Sequence, residues 1–149
     1  MKVIIYILIL SFSFIAHAHK YEAENMLVDH PWMKVFNNNG AGYFKIKNTG
    51  NTDIHLLEVV SDSVDNIELH TIIMEEDVAK MRPIKDGVII KVGESIEFKP
   101  MGNHLMFFGI NKKLGEGELM EAYFKFKNSK DLLVKFKMES NKSSHNHEH

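Results

Sequence analysis

His70, Met81, His104 and Met106 are the residues of this chain best suited to chemistry. Two imidazoles and two thioethers make a soft-to-borderline donor set with no hard carboxylate. Such a set favours Cu(I) over Zn²⁺, Ca²⁺ or Mg²⁺. His104 and Met106 stand at i and i+2, so on a strand they share a face with Cα atoms roughly 6.5 Å apart. Pro100-Met101-Gly102-Asn103 leads into the pair and puts it at a strand end, where sites are commonly exposed. His70 and Met81 fall on two stretches, 66–73 and 78–83, that read as the arms of a hairpin. A turn centred on Glu75-Glu76 makes opposed residue numbers sum to 151 and sets His70 across from Met81. Their Cβ atoms would then be about 5 Å apart. A slip of one residue would send them to opposite faces.

The elements that must hold these residues alternate with period two. In 42–48, Phe44 and Ile46 alternate with Tyr43, Lys45 and Lys47, and Asn48-Thr49-Gly50-Asn51 is a turn. Apolar stretches follow at 54–60, 66–73, 78–83 and 104–110. Residues 88–92 and 95–99 read as a strand pair across Gly93-Glu94. Met120, Ala122, Phe124 and Phe126 alternate with Glu121, Tyr123, Lys125 and Lys127; Leu132, Val134, Phe136 and Met138 form the last apolar face. Strands with a turn every eight to twelve residues argue for an all-β antiparallel sandwich or barrel. No amphipathic helix and no internal repeat is evident.

The ends bear on compartment. Lys2 precedes an apolar run, 3–15, and Ala16-His17-Ala18 fits the small-x-small cleavage rule. Residues 1–18 read as a secretory signal, so the mature chain is expected to begin at His19. Losing Lys2 moves the net charge from −2 to −3. Residues 19–140 are expected to form one domain and 141–149 a disordered, histidine-containing tail. The sequence has no cysteine. That removes disulfides, thiolate chemistry, Fe–S clusters, the blue-copper site and a lipid-bearing cysteine at the cut. Arg82 is the only arginine, so nothing suggests nucleic acid. No Ser/His/Asp constellation, P-loop or Rossmann glycine fingerprint is present.

Glu68-Leu69-His70, Met74, Val78-Ala79-Lys80-Met81-Arg82-Pro83, Lys99-Pro100 and Gly102-Asn103-His104-Leu105-Met106 together resemble the periplasmic copper chaperones written PCu(A)C. Their signature is a His, a Met eleven residues on, and His-x-Met about twenty-two further. The first interval, 70 to 81, agrees; the second, 81 to 104, is one residue longer. The Lys85-Asp86-Gly87 turn can absorb the extra residue. Asp29-His30-Pro31-Trp32 resembles the family's opening strand, and residues 42–50 its second. The resemblance implies a cupredoxin-like Greek-key β-sandwich and Cu(I) held by His70, Met81, His104 and Met106. It implies delivery of copper towards the dinuclear copper centre of cytochrome c oxidase, with oxidase subunit II or a Sco-type thiol protein as partner.

Thioethers have no proton to lose and form no disulfides, so a Met/His site holds Cu(I) where a thiolate site would be oxidised. On a straight strand Met74 lies about 13 Å from His70, outside ligand range. Met74 and Met101 are expected in an exposed apolar rim beside the site, with core filling as the competing role. His145, His147 and His149 alternate along the tail, and His19 would add an amine and an imidazole. These are candidates for an auxiliary Cu(II) site. His30 and His55 read as structural or surface residues. A non-enzymatic Cu(I) metallochaperone leads. A histidine-brace copper oxidase built on His19, and a metal-free structural β-sandwich, compete with it.

Overall fold

Period-two patterning becomes strand after strand. The computed structural model describes residues 20–140; the expected signal segment 1–18, His19 and the tail 141–149 lie outside them. Among the described residues there are eleven strands and no helix. They are β1 (Lys20–Ala23), β2 (Met26–Phe36), β3 (Asn39–Asn48), β4 (Ile54–Val60), β5 (Asn66–Glu75), β6 (Val78–Pro83), β7 (Val88–Ile90), β8 (Ser95–Phe98), β9 (His104–Phe108), β10 (Leu119–Phe126) and β11 (Leu132–Met138). The ladder runs β6-β5-β9-β3-β2-β11-β10-β4-β7, with β1 on β2 and β8 on β3. All pairs are antiparallel except β2 with β11, where Trp32 and Met33 lie parallel to Lys137 and Met138. The fold is all-β and cupredoxin-like.

Inward side chains from nearly every strand meet in one aromatic cluster. Phe44 stacks on Phe98 at 4.2 Å and meets Phe124 edge-on at 4.9 Å. Phe107 of β9 meets Phe136 of β11 at 5.6 Å. Aromatic pairs at these separations add about 0.5–1.5 kcal/mol each beyond their area burial. Met26, Val28, Ile46, Leu105 and Phe124 are buried in the same core.

Two features depart from plain alternation. The β2–β3 register shifts between Asp29 and Trp32, where His30 has φ 48° and is followed by Pro31. Proline offers no ladder donor, and a bulge absorbs the extra residue. The shift turns Trp32 to the outside opposite Tyr43 and Met33 into the core opposite Gly42. The second is a correction to the sequence reading. Stretches 88–92 and 95–99 do not pair with each other: β7 joins β4, and β8 joins β3. The chain crosses between them at a turn closed by Glu94 N–H to the Lys91 carbonyl. The buried Asn48 amide ties the crossing down by donating to the carbonyls of Ile90 and Thr52.

Gly42 fixes how closely β3 and β9 approach. A Cβ there would fall 2.5 Å from the Phe107 ring and 3.3 Å from Phe136. Both rings are fully buried and have nowhere to go. Gly42→Ala is therefore expected to cost about 1–3 kcal/mol. Urea denaturation checks this; an unchanged midpoint contradicts the packing described.

Candidate metal centre

The hairpin of β5 and β6 turns on Glu76 and Asp77, at φ 49° and 62°. Two consecutive positive φ values are the mark of a type I′ turn. It lies one residue later than the Glu75-Glu76 centre expected from sequence. The register moves with it: His70 pairs with Pro83 and Ile72 with Met81. His70 and Met81 are not directly opposed, which corrects the sequence reading. They do share a face, because the displacement is two residues and strand side chains repeat every two. They are diagonal neighbours at about 7–8 Å, within reach of a long side chain.

The histidines are brought together by a strand pairing that the sequence did not disclose. In the β5–β9 ladder His70 lies opposite His104, and Glu68 opposite Met106. The residues between them, Leu69 and Leu105, point into the core. All four expected donors therefore fall on the outer face of β6-β5-β9. The two rings meet edge-on with centroids 5.7 Å apart. Two imidazoles each reaching about 2 Å to one ion fit such a separation.

The polar accounting marks this spot. His70 is 8% exposed and His104 4%, and with Asn48 they are the buried polar side chains of the described residues. The His104 Nδ1–H donates to the Gly102 carbonyl at 2.9 Å. His70 Nε2 lies 2.7 Å from a Glu68 carboxylate oxygen. The remaining nitrogens, His70 Nδ1 and His104 Nε2, are buried without a hydrogen-bond partner. A buried polar atom left unpaired costs about 1–3 kcal/mol, so two on facing rings call for an explanation. A soft cation supplies one. Among the described residues no three His, Asp or Glu side chains gather to hold an ion, so a site here must draw on the thioethers. The donor set fits Cu(I).

Exposure grades across the site. The imidazoles are buried, whereas Met81 is 46% exposed on the edge strand. Met74 and Met101 are 66% and 73% exposed, so neither fills the core. Met74 pairs with Ala79, which makes it a diagonal neighbour of Met81 on the same face. Sequence reasoning gave no part to Glu68 or the Gly102 carbonyl. The first was legible: Glu68 and His70 at i and i+2 share a strand face. The second depends on the turn at 99–103, closed by Lys99 N–H to the Asn103 carbonyl. Trp32 and Tyr43 also went unseen. Their rings lie 4.4 Å apart on the outer face, tilted 38° to one another, and burial pushes the Tyr43 phenol above its ordinary value. His30 and His55 stand apart from the centre; His55 Nε2 bonds the Asp86 carbonyl at 2.7 Å.

A family model described as LpqE-like, a lipoprotein family, matches residues 26–138. The chain belongs to this LpqE-like, or PCuAC, family. The sequence contains no cysteine on which a lipoprotein lipid is carried. Protein RP573 of Rickettsia prowazekii is 29% identical over 100 residues, 67% of this chain and 55% of that protein. The chain thus spans about half the length of this curated relative. Among solved structures, the copper-bound PCuAC domain from PmoF2 superposes with a TM-score of 0.68 at 17% identity, covering 82% of this chain and 98% of that domain. The apo PCuAC domain from PmoF1 gives 0.68 at 19%, covering 82% and 99%. The Cu(I) form of DR1885 from Deinococcus radiodurans gives 0.57 at 18%, covering 85% and 83%. At these identities the likeness is one of fold.

The unpaired nitrogens set a trade between stability and binding. His70→Leu removes the orphaned Nδ1 together with the bond to Glu68, whose carboxylate turns to water. These changes are of similar size and opposite sign. The metal-free variant is expected to stay within about 1 kcal/mol of the parent while losing metal binding. Thermal unfolding without metal checks this; a loss of several kcal/mol would show the histidine to be a stabilising core residue.

Proposed function

We propose that this chain is a non-catalytic Cu(I) carrier that works outside the cytoplasm and holds one ion between His70, Met81, His104 and Met106. The observation that carries the reading is the pair of buried, unpartnered nitrogens on facing imidazoles, on the sheet face that also bears both methionines. The copper-bound PmoF2 domain and Cu(I)-DR1885 share the fold, which supports copper as the cargo. Membership of a lipoprotein family supports the extracytoplasmic setting. All four donors are neutral, so the site keeps the single positive charge of Cu(I) and needs no thiolate. Graded exposure gives a route for exchange. An incoming ligand meets Met81 first, and the ion leaves the thioethers before it leaves the imidazoles.

The finer reading places the protein in the periplasm after cleavage following Ala18. It has the protein passing copper towards the dinuclear centre of cytochrome c oxidase, to subunit II or through a Sco-type protein. An auxiliary Cu(II) position at His19, His145, His147 and His149 belongs to the same reading.

Anaerobic titration of Cu(I) against a chromophoric chelator is expected to give one tight ion per chain. Cu(I) at a hundredfold excess over Kd adds about 2.7 kcal/mol to stability, a rise of several degrees in melting temperature. The double variant His104→Leu/Met106→Leu is expected to lose both effects. If it binds Cu(I) as the parent does, the site assignment is wrong. For delivery, the loaded protein is mixed with the copper domain of oxidase subunit II and each partner's metal is counted by mass spectrometry. Copper that stays on the carrier contradicts that recipient. Removing residues 141–149 is expected to abolish a weaker Cu(II) equivalent and leave the Cu(I) equivalent intact.

A further inference from the structure

Glu68 decides which nitrogen of His70 is free. A neutral imidazole carries a proton on one ring nitrogen and a lone pair on the other. An ionised carboxylate only accepts hydrogen bonds, so the contact to Glu68 at 2.7 Å puts the proton on His70 Nε2. The lone pair is then on Nδ1, the buried nitrogen with no partner. The carboxylate is itself held: its other oxygen accepts from the Asn66 side-chain amide at 3.1 Å. Asn66, Glu68 and His70 stand at alternate positions of β5 and so line one face. His104 is set the opposite way round. Its Nδ1–H is committed to the Gly102 carbonyl, which leaves the lone pair on Nε2. Each ring thus has its proton turned to a fixed oxygen acceptor and its lone pair in the buried space.

We propose that Glu68 is a positioning residue for Cu(I). It fixes the Nε2–H tautomer and the ring orientation of His70, and it strengthens Nδ1 as a donor. Glu68 does not bind the ion itself: its oxygens are hard donors and both are engaged by β5 side chains. A tautomer set in advance means that no ring proton has to move when copper arrives. Carboxylates that orient ligating histidines affect metal affinity by about 10–100-fold. The inference rests on the copper reading above and adds a residue to it.

The test has two readouts. In ¹⁵N-labelled, metal-free protein at about pH 8, where imidazoles are neutral, long-range ¹H–¹⁵N spectra report the tautomer of each histidine. His70 is expected as Nε2–H and His104 as Nδ1–H. In Glu68→Leu, His70 is expected to lose its Nε2–H preference, and Cu(I) affinity by chelator competition to fall about 10–100-fold. In Glu68→Gln, whose amide oxygen can accept the same proton, the fall is expected to be smaller. The Glu68 side chain is 43% exposed, so these variants are expected to fold. A parent His70 in the Nδ1–H form, or a Leu variant that binds within twofold of the parent, overturns the role of Glu68. If the parent takes up no Cu(I), the copper reading fails and this proposal with it. The two failures are therefore told apart.

Discussion

The pairing of β5 with β9 is the constraint on which the site depends. His70 meets His104 because Leu69 meets Leu105 on the other side of the same two strands. A slip of one residue between the two strands would turn one imidazole into the core and leave the other outside, on opposite faces of the sheet. The leucines are held by the aromatic cluster around Phe107, Phe136 and Phe44, with Gly42 allowing β3 close enough to β9. Core packing therefore sets how the two imidazoles of the proposed metal site meet. The two unpartnered ring nitrogens oppose folding, and the hydrophobic interior offsets them.

The hairpin arm contributes in another way. On the face away from the centre, Glu75 pairs with Lys80 at 2.6 Å and Arg82 at 3.2 Å. The Lys80 ammonium holds the Glu75 carboxyl below its usual range. Exposed pairs of this kind add little stability. Their placement still matters, since they leave the metal face of the arm to Ile72, Met74, Ala79 and Met81. One face is charged and the other carries thioethers.

Much of this was legible in the sequence because alternation is a local signal. The strands at 54–60, 78–83 and 132–138 fall where the pattern put them. The hairpin turn was misplaced by one residue because Glu75, Glu76 and Asp77 are chemically alike and none is a glycine to mark positive φ. Parity survived that error, and with it the shared face of His70 and Met81. Partner choice between distant strands is not a local property. Hence the separation of β7 from β8 onto different neighbours, and the meeting of β5 with β9, had to be seen. The outward turn of Trp32 needed the bulge at His30-Pro31, a register change that periodicity alone misses. Glu68 could have been found by counting two residues back from His70 along a strand.

Consider finally the chain before it folds. The four donors lie on segments whose only nearby partners are along the hairpin; His104 and Met106 join them by a contact spanning 34 residues from His70 to His104. Contacts of such span form slowly, because loop entropy must be overcome first. An extended polypeptide therefore has scattered sulfur and imidazole groups but no binding centre. On the carrier reading proposed above, uptake of cargo is a late event, open only to molecules that have completed their tertiary structure.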